Sequence, residues 1–189
     1  VSQVGEDAPW RTQPLTNDEL KLRILQNGHP VSPLFTVPWV TNRIFRKDWL
    51  HCADQGVSAE FLGNLFHYIR AHKVPGRNIK EKTTSIWERM QEFYQRKDVG
   101  PGTRLTQLTP TMMRQQGKGP KLSSNAGQCR TLVPFAREIA TAYLDAADSR
   151  EQAMLAAAVH LDTCYGALSN ESIFYLDILR ENSKKFALQ

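Results

Sequence analysis

From Val57 to Ile69 the apolar residues Val57, Phe61, Leu62, Leu65, Phe66 and Ile69 recur at i, i+4, i+5, i+8, i+9 and i+12. That spacing closes one stripe along a 3.6-residue helix and does not alternate across a strand. Pro75-Gly76 stops the helix. Ile79, Ile86, Met90 and Phe93 mark a second helix, closed by Gly100-Pro101-Gly102. Leu132, Phe135, Ile139, Ala142 and Tyr143 mark a third. Ser149 with Gln152 has capping-box spacing and opens an alanine-rich helix to about Tyr165. Its small residues Ala153, Ala156, Ala157 and Ala158 let a neighbouring helix approach closely. Asn170 is placed to cap a last helix through Ile173, Phe174, Ile178 and Leu179. The expected fold is mainly α, with five to six helices in an irregular bundle over residues 51–189. The irregular basic stretch 99–123 is a loop within it.

The first 50 residues follow different rules. Thr16 and Glu19 form a capping box, so a short helix is expected from Asn17 to Gln26, stopping at Asn27-Gly28. Pro30, Pro33 and Pro38 then favour extended chain. Arg43 to Trp49 reads as a short strand, a β segment near residues 40–50. The 189 residues are 41% hydrophobic and 23% charged, which excludes a disordered chain, a collagen-like chain and a membrane bundle. The longest apolar cluster, Ala153 to Cys164, is broken by His160 and Asp162 and is too short to span a bilayer. No secretory signal is visible at Val1 to Pro9. Cys52, Cys129 and Cys164 form no CxxC pair, read as buried small hydrophobes, and fit an intracellular compartment.

Net charge is +5, which permits an anionic partner without requiring one. The excess is local. Residues 99–137 hold no acid, and carry Arg104, Arg114, Lys118, Lys121, Arg130 and Arg137. Within them Gly117-Lys118-Gly119-Pro120-Lys121 reads as a flexible basic loop ahead of a helix N-terminus near Ser123 and Ser124. Free backbone N–H groups beside lysines favour phosphate. The glycine spacing is not that of an NTP-binding loop. A second basic stretch, Arg70, His72, Lys73, Arg77, Lys80 and Lys82, lies at the turn between the first two long helices. The candidate nucleic-acid contacts are therefore Arg70, Lys73, Arg77, Lys80, Arg104, Arg114, Lys118, Lys121 and Arg130. The competing reading is a pair of solubilising surface segments.

The densest polar block is Asp48-Trp49-Leu50-His51-Cys52-Ala53-Asp54-Gln55-Gly56. Asp48, His51 and Asp54 are three apart, and the spacing can bring them to one side of a turn. A carboxylate on an imidazole fixes its tautomer, so the three are candidates for catalysis, with Asp48 the candidate metal ligand of a small metal-dependent hydrolase. Equally, Asp54 can be a helix cap and His51 a satisfied polar group. His160 and Cys164 at i, i+4 lie on an apolar helix and read as core.

The Asp48–Gly56 block, continuing to Phe61-Leu62-Gly63, resembles the D-x-x-H … G segment of cut-and-paste DDE/D transposases of the CACTA-like and related groups. Trp10-Arg11, the Pro-rich stretch His29 to Pro38, this block and Arg130-Thr131-Leu132-Val133-Pro134-Phe135 follow the order of such transposon-derived proteins. The resemblance implies the C-terminal part of an RNase H-like domain, a DNA partner, nuclear localisation, and two-metal chemistry with Mg²⁺ or Mn²⁺. It also implies a catalytically incomplete copy or fragment. The strands bearing the first two carboxylates are not visible, and Gln128 stands where an acid would be welcome. For the third carboxylate only Glu138 and Asp145 are candidates. The alternative is a helical protein-interaction module without catalysis.

Overall fold

The computed structural model describes residues 16–37, 50–168 and 175–189. The chain divides into two compact units, Val1–Lys47 and Asp48–Gln189. In the first, α1 is Asn17–Gln26, followed by a 3-10 turn at Pro33–Thr36. Its start is set by a reciprocal cap. The Thr16 hydroxyl accepts the Glu19 N–H, and the Glu19 carboxylate accepts the Thr16 N–H at 2.7 Å. Asn27 ends the helix, and Gly28 follows at φ +74°, a left-handed conformation suited to glycine. The Lys21 ammonium lies 5.9 Å from the Phe35 ring centroid.

Every regular element among the described residues of the second unit is helical. A π-helix, Leu50–Ser58, runs directly into α2, Ala59–His72. Then come α3 (Ile79–Arg96), a 3-10 turn (Pro101–Thr103), the one-turn α4 (Pro110–Met113), α5 (Ala126–Tyr143), α6 (Ser149–Leu168) and α7 (Leu176–Ala187). The expected strand at Arg43–Trp49 falls outside the described residues, which contain no strand. The sheet on which an RNase H-like domain is built is therefore not among them. Three boundaries differ from expectation. The first long helix begins at Leu50 as a π-helix rather than near Val57. α6 is capped by Asp148, whose Oδ1 accepts the N–H groups of Arg150 and Glu151, so Ser149 is already helical. α7 starts at Leu176; Asn170, Ile173 and Phe174 lie outside the described residues.

The core gathers Leu62, Leu65, Phe66 and Ile69 of α2, Ile86, Met90 and Phe93 of α3, and Leu132, Phe135 and Ile139 of α5. Phe135 is its hub, with ring centroids 5.7 Å from Phe66 and 5.4 Å from Phe93. α6 packs on both α5 and α7. Ala157 and Ala158 are buried there, in keeping with the close approach that alanine allows. His160 Nδ1 and Asn182 Oδ1 are 3.0 Å apart, and Cys164 Sγ is 3.5 Å from Ser183 Oγ, so both residues serve α6–α7 packing. Burial raises the thiols of Cys129 and Cys164, whereas Cys52 is exposed and not the core residue expected.

The basic stretch 99–123 is largely irregular but anchored to the helices. Leu105, Leu108, Met113 and Leu122 are buried in the main core. Backbone bonds pin its end: Leu122 N–H to Ala59 C=O at 2.8 Å, Lys121 N–H to Met113 C=O at 3.0 Å, and Ser123 N–H to Met112 C=O at 2.7 Å. Gly63 makes this docking possible. A Cβ there would sit 2.5 Å from Leu122 N and Lys121 Cα, inside backbone atoms that have no rotamer to move to.

Candidate functional site

Asp54 is the buried centre of the first candidate site, only 2% exposed. Its Oδ2 accepts a bond from Arg130 Nη2 at 3.1 Å, and its Oδ1 accepts the Tyr165 hydroxyl. With its proton committed to the carboxylate, Tyr165 accepts in turn from Ser58 Oγ at 2.9 Å. The Arg130 guanidinium also lies 5.8 Å from the Tyr165 ring centroid. The cluster ties the π-helix to α5 and α6. It also joins the two blocks of the transposase resemblance, Asp48–Gly56 and Arg130–Phe135, through one ion pair.

In this geometry Asp54 serves as a structural partner. Both its oxygens are occupied by protein donors, and beside it stand a guanidinium, which repels a cation, and two hydroxyls already committed to hydrogen bonds. His51 is exposed while Asp54 is buried. In a helix closed by i→i+5 bonds, residues three apart point to different sides, so the spacing does not align them. Asp48 lies outside the described residues. Among those described, no group of three His, Cys, Asp or Glu side chains could hold a metal ion. The third-carboxylate candidates are engaged elsewhere. Glu138 pairs with Arg96 at 2.7 Å, and Asp145 Oδ1 accepts the Ala147 N–H. The described residues thus do not fit a two-metal centre.

Several cations expected to face nucleic acid are consumed by structure. Lys73 Nζ lies 2.6 Å from Glu151 Oε2. That carboxylate is buried and also accepts the Asp145 N–H at 2.7 Å and the Tyr68 hydroxyl at 2.7 Å. These bonds, the Asp145 backbone first, hold the Glu151 carboxyl down to about 2. Arg130 places one amino group on Asp54 and leaves 57% of its side chain exposed. Arg104 donates from Nε to Val99 C=O and lies 5.9 Å from the Tyr94 ring centroid. Arg77 and Lys80 are exposed at the α3 N-terminus, where Glu81 accepts the Arg77 N–H at 2.8 Å.

The remaining cations gather where the 114–122 segment docks on α2. Asn64 Nδ2 donates to Pro120 C=O at 3.1 Å, and Lys121 lies 3.9 Å from Glu60. Lys118 and Lys121 line a cleft of about 450 Å³ with Gln55, Ala59, Ser123 and Ser124. Arg114 is exposed, its Nε donating to Lys118 C=O at 3.1 Å. Arg70 is only 8% exposed, and its Nη1 is buried with no hydrogen-bond partner. An unmet buried donor costs about 1–3 kcal/mol, more when charged. Burial first, and then Arg114, pushes the Arg70 pKa down. Burial, Arg70, Arg114 and His72 push His67 down as well, favouring its neutral form. The helix N-terminus anticipated at Ser123–Ser124 is instead at Ala126 and closed on itself. Asn125 Oδ1 takes the Gln128 N–H, and Gln128 Oε1 takes the Asn125 N–H.

Sequence reasoning missed the Tyr165 hydroxyl at Asp54 and the Glu151–Tyr68 pair. It also missed the grouping of Arg70 with Arg114. Each joins residues distant in the chain, for which local spacing carries no signal. No protein-family model matches the chain, and neither the curated proteins nor the solved structures include a match.

Proposed function

We propose that this chain is a transposase-derived, non-catalytic nucleic-acid-binding domain that uses the basic face around the 114–122 segment. The observation that supports the reading is the docking of an acid-free segment beside α2, where Lys118 and Lys121 share one cleft, Glu60 contacts Lys121, and Arg114, bonded to Lys118 C=O, acts in turn on Arg70. The Asp54–Arg130 pair supports the transposon-derived origin, because it links the two blocks of that resemblance. It also supports the loss of catalysis, since the block's buried carboxylate is a structural partner. Nuclear localisation follows from the same reading. No helix of the described residues is long and apolar enough to cross a membrane.

Binding of this kind releases counterions, so affinity falls steeply with salt. Fluorescence anisotropy with a labelled duplex is the test. Arg114→Gln, Lys118→Gln and Lys121→Gln together are expected to weaken binding and to flatten the salt dependence by roughly 0.9 in slope for each phosphate no longer neutralised. Absence of binding at low salt would overturn the reading. It would favour the helical interaction module, which draws support from α7, where Leu176 and Ile178 are exposed and no residue is buried.

A further inference from the structure

Arg70 poses a question that the other described residues of the second unit do not. Other buried charges have partners: Asp54 has Arg130 and Tyr165, and Glu151 has Lys73, Tyr68 and a backbone N–H. Arg70 has its Nη1 buried and unsatisfied, no salt bridge among the described residues, and a second guanidinium near it instead of a carboxylate. A buried cation beside another cation is costly, and is stabilised when an anion bridges the two. α2 packs on α4, and this brings up Arg114, the residue that ends α4. Arg114 commits only Nε to the chain, at Lys118 C=O, leaving its two amino groups for another acceptor. A planar guanidinium fork matches the spacing of oxygens on a tetrahedral oxyanion, and two forks neutralise its charge. His67, one turn before Arg70 on α2, adds a half-buried imidazole at the same place.

We propose that Arg70 and Arg114, with His67 at the edge, form a binding site for a single phosphate-type oxyanion. The exposed Arg114 is the side from which the anion enters. The claim rests on the proposed function only for the source of the phosphate, which there is a nucleic-acid backbone.

Sulfate is the probe, because it keeps its charge across the pH range in which histidine titrates. In the full chain at matched ionic strength, sulfate is expected to raise the melting temperature above that in chloride. By NMR it should also raise the pKa of His67, whose field from Arg70, Arg114 and His72 is otherwise all cationic. Arg114→Gln, at an exposed position, should weaken the apparent sulfate affinity at least tenfold without unfolding the chain. Arg70→Met, which keeps the length of the stem, should abolish the response. Identical behaviour of the wild type in sulfate and chloride would overturn the proposal, as would a wild-type sulfate response in Arg114→Gln. A labelled duplex separates this claim from the broader one. Sulfate that binds and displaces the duplex identifies the phosphate as that of nucleic acid. Sulfate binding without any duplex binding at low salt supports the oxyanion site and overturns the proposed function. Duplex binding unchanged in Arg114→Gln, with no sulfate response, overturns the site and leaves the proposed function standing.

Discussion

Asp54 and Arg70 are both buried charges on the continuous π-helix–α2 segment, and they are treated in opposite ways. Asp54 meets a guanidinium and a hydroxyl that is itself hydrogen-bonded, drawn from two other helices. Arg70 meets no acceptor at Nη1 and has Arg114 for company. The first arrangement is complete, so its stake is stability and its chemistry is spent. The second is incomplete among the described residues, and the proposed oxyanion would complete it. Within the polar block whose spacing suggests catalysis, Asp54 is thus held by protein donors, and the proposed ligand site lies in a stretch that reads as surface charge.

The largest expected effect removes one side of this contrast. Gly63→Ala places a Cβ against the backbone of Lys121 and Leu122 and must push the 121–122 segment off α2. We expect a loss of about 3 kcal/mol by chemical denaturation, at the upper end for overpacking. The sulfate response should go with it, while the Tyr165–Asp54 bond persists by NMR. Next, Arg130→Met strips the cation from Asp54. Breaking a buried pair costs about 3–5 kcal/mol, and the Arg130 side chain is 57% exposed, so about 2 kcal/mol is expected after allowing for water.

Glu151 extends the comparison as a second satisfied charge. Its folded pKa is about 2 against 4.5 in the unfolded chain. A lowered carboxyl pKa stabilises the fold fully above the unfolded value, and that stability is lost as pH falls from about 4.5 towards 2. Melting temperature measured across this window should fall more steeply in the wild type than in Glu151→Gln. Parallel curves would show that the Lys73–Glu151–Tyr68 cluster contributes nothing.

Local rules were legible where both partners lie within one turn. The Thr16–Glu19 box sets α1 at its observed bounds, and of the stripe from Val57 to Ile69, Leu62, Leu65, Phe66 and Ile69 are buried in α2 while Phe61 is half-buried and Val57 is exposed. The cap of α6 shifts by one residue because the Asp148 carboxylate reaches two N–H groups. The π-helix is not legible, since nine residues show no period that separates i→i+5 from i→i+4 closure. The 99–123 segment reads as loose because Leu105, Leu108, Met113 and Leu122 follow no repeat, yet all are buried. Tyr165 shows an aromatic ring to the core and a hydroxyl to a carboxylate 111 residues away, and only the ring has a local signature.

The contrast between complete and incomplete burial is tested most directly by paired thermal unfolding of Arg70→Met and Arg130→Met in chloride. The account predicts that Arg130→Met melts well below the wild type, while Arg70→Met melts at or above it, because an unmatched buried cation has been exchanged for an apolar stem of similar length. Equal destabilisation by the two substitutions would contradict it, for Arg70 would then be a structural residue like Arg130.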